Sequence, residues 1–341
     1  MGPARRTGIG FVLAIALAAC ASDGDGDRAA TSAHAAAPAA MDGWRELADG
    51  VYFRQGMFAP GRQPDGNSLL LRGATGWIVV DTGRHAAHAQ AIVDAARGSG
   101  RPLVAIVNTH WHLDHVSGNA SLRDAYPHVE VHASTRIERE MQGFLAAYRG
   151  QLEALLRDRP DDAQAADWHA ELARIAAGRA LFPTQPVTAQ GERRIDGRAL
   201  VLGLAGDAVS GGDVWVLDPK TRTLAAGDLV TWPVPFLDTA CPEGWTRALT
   251  ALAALPFERV VPGHGEPMTR GEFERYRRAH ARLLACASDG RAEADCADGW
   301  IADVGDALPP GEAGRARGLL VDYYLPAKLR PGAPRPAYCG D

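Results

Sequence analysis

Residues 108–115 read Asn-Thr-His-Trp-His-Leu-Asp-His and place three of the chain's eleven histidines and one aspartate within six residues: His110, His112, Asp114 and His115. Neutral imidazoles with a carboxylate form a borderline ligand set that suits zinc and tolerates Mn or Fe. The cluster follows the apolar run Leu103–Asn108, so it falls on a loop at the end of a buried strand. Loops held by a rigid scaffold are where sites are usually built. The chemistry this predicts is metal-dependent hydrolysis. Zinc lowers the pKa of bound water towards 7 and makes hydroxide available at neutral pH for attack on an acyl, phosphoryl or related ester or amide centre.

His-x-His-x-Asp-His after a hydrophobic strand resembles the metallo-β-lactamase-fold hydrolases, and further pieces match in order. They are Val79-Val80-Asp81-Thr82-Gly83, Ala226-Gly227-Asp228 and Pro262-Gly263-His264-Gly265, and the resemblance runs from about Trp44 to Arg282. An ordered set of motifs is far more specific than any one of them. The resemblance implies an α/β fold, a four-layer αββα sandwich with metal ions at one edge. It assigns His110, His112 and Asp228 to one metal site, and Asp114, His115, His264 and Asp228 to the other. Asp228 is the shared anionic ligand that two neighbouring cations need. Asp114 or Asp228 would orient the nucleophile and shuttle a proton. Asp81 is expected to hold its turn and orient a ligand histidine. His85 and His88 are read as surface groups of a helix.

One departure from the family pattern matters. The family places another histidine between the first motif and the bridging Asp, and here that position falls on Val209, within Gly206–Asp213. Valine binds no metal, so one or two zinc ions remain open. Asp207 is the candidate substitute ligand, since on an extended segment it shares the face of Val209; Asp213 is a second. Otherwise only the Asp114/His115/His264 site fills, or the protein is a catalytically degenerate metal- or ligand-binding one.

The elements that must position these residues alternate between strand and helix, which indicates a layered α/β architecture. Strands are expected at Asn67–Arg72, Trp77–Val80, Leu103–Asn108, Val129–His132, Arg194–Ile195, Ala199–Leu204, Val214–Leu217, Thr223–Ala226 and Arg259–Val261. Helices are expected at Arg84–Arg97, Ser117–Ala125, Pro242–Leu255 and Arg270–Ala287. Residues 134–180 repeat apolar side chains at helical spacing and read as an inserted set of two or three helices packing over the site. Trp111 and Trp232 are candidate pocket walls, as readily explained by core packing.

The ends of the chain bear on where it works. Arg5 and Arg6 precede a short apolar run, Ile9–Ala19, that is too short to span a bilayer as a helix. It ends in Leu-Ala-Ala-Cys20 and resembles a bacterial lipoprotein signal. Residues 1–19 would then be removed, Cys20 would carry the lipid anchor, 20–41 would be a tether, and 42–341 the domain. The implied place is the periplasmic side of a bacterial membrane, the outer one favoured. The odd count of five cysteines resolves into Cys20 plus Cys241, Cys286, Cys296 and Cys339. An even set in an exported chain suggests two disulfides. Of three pairings, Cys286 with Cys296 is favoured across a helical turn-around, leaving Cys241 with Cys339. With 36 basic and 41 acidic residues and no Lys/Arg-rich block, nucleic-acid binding is not expected. The expected partner is a small-molecule substrate, with membrane contact only through the lipid.

Overall fold

Alternation of side chains along the strands decides which way each sheet faces. In β4 (Trp77–Val80), Ile78 and Val80 enter one apolar cluster while Trp77 and Val79 enter another. The same split holds in β3 (Ser68–Arg72), between Leu69 and Leu71 on one side and Leu70 on the other. Strands buried on both faces need cover on both, and two sheets packed together with helices outside supply it.

The computed structural model describes residues 41–58, 62–308 and 311–339. The signal segment, Cys20 and the tether up to residue 40 lie outside the described residues. The first sheet runs in chain order: β1 (Arg45–Ala48), β2 (Val51–Arg54), β3, β4, β5 (Leu103–Val107), β6 (Glu130–Ala133) and β7 (Gln185–Pro186). The second comprises β8 (Gly191–Ile195), β9 (Arg198–Ala205), β10 (Asp213–Asp218), β11 (Thr223–Thr231), β12 (Arg259–His264) and β13 (Met268–Thr269), ordered β13-β12-β11-β10-β9-β8. Val51, Phe53, Val80 and Val107 of the first sheet meet Leu200, Leu202, Val214 and Val261 of the second. Outside the first sheet lie α1 (Ala86–Gly98) and, beyond the short α2 (Leu113–Val116), α3 (Asn119–Ala125), through Ile92, Val93 and Leu122. Outside the second lie, later in the chain, Trp245 and Leu249 on Pro242–Ala253, and Phe273 and Leu283 on Arg270–Ser288. The architecture is thus the four-layer αββα sandwich.

Between β6 and β7 the chain winds into α4 (Arg136–Glu140), α5 (Phe144–Asp158) and α6 (Ala165–Ala176). Leu145, Leu152, Trp168 and Ile175 pack there against Trp111, Leu113 and Val116 of the histidine loop. The helices after β11 are α7 (Pro242–Ala253), α8 (Arg270–Ser288), α9 (Glu293–Val304) and α10 (Glu312–Leu319), followed by a π-helical segment, Leu320–Leu329. Thr269 caps α8 in a reciprocal box with Glu272. Both disulfides form, Cys286–Cys296 between α8 and α9 and Cys241–Cys339 between the start of α7 and the tail. Among the described residues no helix is long and apolar enough to cross a membrane.

One buried group makes stability pH-dependent. His280 on α8 is fully buried beside Trp245, with ring centroids 5.0 Å apart and neither ring nitrogen hydrogen-bonded. Burial pushes its pKa down to about 3. The unfolded chain, whose histidine titrates near 6.5, takes up the proton first, so stability is lost as pH falls below 6.5. At pH 5 the loss is about 2 kcal/mol. His280→Leu is expected to shrink the drop in unfolding free energy between pH 7.5 and pH 5 by that amount in urea titrations; an unchanged drop refutes the assignment.

Candidate metal centre

Parallel pairing puts the ends of β4 and β5, and of β11 and β12, at one edge of the sandwich. Asp81 follows β4, the histidine loop follows β5, Asp228 sits within β11 and His264 closes β12. Asp81 leaves the strand at φ 56°, a left-handed conformation that turns its carboxylate back under the loop. Its Oδ1 accepts from the Thr109 amide at 2.7 Å, and its Oδ2 from Thr109 Oγ1 at 2.7 Å and His115 Nδ1 at 2.8 Å.

These bonds fix which ring nitrogens are free. His115 gives its Nδ1 proton to Asp81, so in the neutral ring Nε2 carries the lone pair. That nitrogen is buried with no hydrogen-bond partner, 3.5 Å from Asp228 Oδ1 and 3.6 Å from Asp114 Oδ2. His264 Nε2 lies 3.0 Å from Asp114 Oδ2 and 3.6 Å from Asp228 Oδ1, which is likewise buried and unpartnered. Thr109 Oγ1, its proton given to Asp81, accepts from His110 Nδ1 at 3.0 Å. Thr239 Oγ1 donates to Val209 O at 2.8 Å and so accepts from His112 Nε2 at 2.9 Å. By elimination the lone pairs of His110 Nε2 and His112 Nδ1 face each other across 2.9 Å. Two facing lone pairs repel unless a cation lies between or beside them. His110 Nε2 is 3.8 Å from Asp228 Oδ2, so the two oxygens of Asp228 address two donor sets.

The electrostatics point the same way. Burial pushes the pKa of His110 well down and that of His112 to about 3, keeping both imidazoles neutral. Burial also opposes charge on His115, but Asp228, Asp81 and Asp114 outweigh it and raise its pKa to about 10. Burial raises the carboxyl of Asp228, partly offset by His264 and His115. Three carboxylates around orphaned donors call for positive charge, which a metal ion or a proton can supply. The residues therefore fit a metal ion. Groups that could hold one are His110/His115/Asp228 and Asp114/His115/His264. Glycines leave the ligands room: a Cβ on Gly263 would stand 1.9 Å from Asp228 Oδ1, and one on Gly66 2.5 Å from His115 Cε1.

The substitute ligands do not join. Asp207 turns to a salt bridge with Arg247, its side chain a quarter exposed. Asp207 does not share the face of Val209, because the chain bends after β9 instead of staying extended. Asp213 accepts from the Val209 and Ser210 amides at 2.9 and 3.0 Å and from Ser210 Oγ at 2.6 Å, bracing that bend. Val209 is fully buried in the core over the second sheet. His85 and His88 are not surface groups either. His88 is in phase with Ile92 on the buried face of α1 and donates to Ser68 Oγ at 2.8 Å, and His85 lies 3.1 Å from Asp65. Trp111 and Trp232 both line the cavity above the site and both are buried.

Three contributors escaped the sequence: Thr239, Arg84 and Glu171. Thr239 has no local signal. Arg84 follows the Asp81-Thr82-Gly83 turn, and that adjacency is the one hint it carried. Its guanidinium bonds Glu171 of α6 at 2.6 Å and reaches Asp114 at 3.4 Å, tying the helical insertion to a ligand. Glu171 also takes Arg174 at 2.6 Å. Glu171→Gln would leave the Arg84 charge directed at Asp114 alone and draw that carboxylate from a metal ion. Metal affinity is expected to fall about 10–100-fold, read by competition with a chelator; an unchanged affinity refutes the coupling.

A family model described as the metallo-beta-lactamase superfamily matches residues 61–264, more than half of the chain. A hydroxyacylglutathione hydrolase of Gloeobacter violaceus is 50% identical over 50 residues, 15% of this chain and 20% of that protein. The chain thus matches about a fifth of that relative's length. Among solved structures, the DIM-1 metallo-beta-lactamase aligns with TM-score 0.51 and 16% identity over 70% of this chain and 95% of its own. The stereoselective inverting sec-alkylsulfatase Pisa1 from Pseudomonas sp. aligns with TM-score 0.53 and 18% identity over 85% of this chain and 52% of its own. At such identities the likeness concerns the fold. Family match, fold and ligand arrangement agree: the chain belongs to the metallo-beta-lactamase superfamily.

Proposed function

We propose that this protein is a metal-dependent hydrolase of an ester- or amide-type small molecule. Its principal metal site is Asp114, His115, His264 and Asp228, and the weaker one is His110, His112 and Asp228. The observation that carries this is the pair of buried, unpartnered atoms, His115 Nε2 and Asp228 Oδ1, 3.5 Å apart, the first 3.6 Å from Asp114 and the second 3.6 Å from His264. Zinc held there would activate water and polarise the substrate oxygen. Asp81 keeps the His115 lone pair turned inward. Asp228 spans both donor sets, and Asp114, which lines the cavity, would orient an attacking water and take its proton. The named relatives act on different bonds, so family membership does not select the substrate.

Val209, in place of a fourth ligand, favours a second reading: a metal- or ligand-binding protein without turnover. Elemental analysis of purified protein, with lactam, lactone, thioester, sulfate-ester and phosphodiester substrates, separates the two. Bound metal with turnover supports the hydrolase. Bound metal with no turnover under zinc, manganese or iron supports the second reading.

We also propose export and lipid anchoring through Cys20. Two disulfides in one chain suit an oxidising compartment. Cys20→Ser is expected to move the protein from the membrane to the soluble fraction after cell lysis; retention in the membrane would refute the anchor.

A further inference from the structure

The four ligands His112, Asp114, Asp228 and His264 form the floor of a cavity of about 570 Å³, mid-range for sites that enclose a small organic ligand. Its walls come from outside the ligand motifs. The helical insertion supplies Phe144 and Tyr148, the loop after β2 supplies Phe58, the loop after β11 supplies Phe236, and the C-terminal helices supply Leu319 and Tyr324. The family match ends at residue 264, so the C-terminal wall lies beyond it. Among the described residues three large apolar side chains are exposed: Met57 at 41%, and Phe58 and Phe144 at 44% each. Two of these stand in this cavity's wall, although water contact there costs free energy that a ligand would recover.

The cations of the wall are already engaged. Arg84 is shared by Glu171 and Asp114. Arg315 stacks over the Phe58 ring, 3.7 Å from its centroid, with Glu312 at 3.5 Å. Among the described residues, no pair of free cations faces the floor from the wall. A substrate bearing several carboxylates would have to break one of these pairs, whereas an uncharged apolar or aromatic group would break none.

We infer that the cavity selects an uncharged, hydrophobic acyl or aromatic substrate, whose reacting ester-type bond lies over the ligand floor and whose apolar body lies between Phe144, Phe58 and Phe236. Its turnover arm rests on the hydrolase reading; its binding arm does not. The first arm measures kcat/KM of the metal-loaded protein along p-nitrophenyl esters from acetate to octanoate. Each added methylene is expected to raise it about two- to fourfold. The Phe58→Ala/Phe144→Ala double variant should lower the octanoate-to-acetate ratio at least tenfold. The second arm measures binding of neutral 2-naphthol and of anionic glutathione by calorimetry. The first is expected to bind, at least tenfold more weakly in the double variant, and the second not. Hydrolysis with a flat ester series, glutathione binding above 2-naphthol, or no 2-naphthol binding would overturn the proposal. A silent ester series with variant-sensitive 2-naphthol binding would remove the carboxylic-ester branch of the hydrolase reading and leave the cavity assignment standing.

Discussion

His115→Ala is expected to strip the metal ion from the Asp114/His115/His264/Asp228 site and lower kcat/KM at least about a thousandfold. That equals roughly 4 kcal/mol of transition-state stabilisation, the scale a Lewis-acid centre supplies. His115 sits at the centre of the donor set. Its Nδ1 is held by Asp81 at 2.8 Å, while its Nε2 faces Asp228 and Asp114 at 3.5 and 3.6 Å. Alanine removes the donor and leaves three buried carboxylates facing one another, so both affinity and carboxylate alignment go. His110→Ala, which touches the three-ligand set, should keep one ion per chain. Elemental analysis after dialysis and kcat/KM on the best ester give the two numbers. Equal metal loss in both variants would overturn the ranking of the sites.

Removing the Cys241–Cys339 disulfide is expected to cost more stability than removing Cys286–Cys296. The sequence separations are 98 and 10 residues. In the loop-closure account a crosslink restricts the unfolded chain more the longer the loop, giving about 4.7 kcal/mol for the long loop and about 2.7 kcal/mol for the short one. The long staple also backs the site. Tyr338, beside Cys339, donates its hydroxyl to Thr239 O, and Arg136 of the insertion lies over its ring, 4.0 Å from the centroid. Thr239 in turn holds His112 Nε2 at 2.9 Å. Cys241→Ser/Cys339→Ser should therefore lower both the urea midpoint and the metal content of the His110/His112 set. A smaller stability loss than in Cys286→Ser/Cys296→Ser would refute the loop-length argument.

Much of the architecture was legible because strands and helices announce themselves by period. The strand at Trp77–Val80 and the helix at Arg270–Ser288 lie where apolar spacing predicts them, the latter to within a residue. What escaped was whatever lacks a local pattern. The first two strands, unlike the all-apolar Trp77–Val80, mix charged with apolar residues over four positions each, so no apolar run stands out. The C-terminal helices α9 and α10 carry a weak apolar stripe; α9 depends on packing against α8, and α10 on packing against α9 and the π-helical segment. His88 reads as polar in sequence, yet its helical phase with Ile92 buries it, and Ser68 satisfies its ring.

By itself the sequence determined the types of the candidate ligands, their order along the chain and the absence of a histidine at Val209, because a motif is a matter of identity and spacing. It could not decide where Asp207 points, since that depends on the bend that Asp213 braces between residues 206 and 213. Nor could it pair Arg84 with Glu171, 87 residues apart, or place Thr239 127 residues along the chain from His112. Those contacts exist only once the insertion and the loop after β11 have folded over the edge of the sandwich. They are hydrogen bonds and ion pairs whose partners are set by packing, which a linear pattern does not contain.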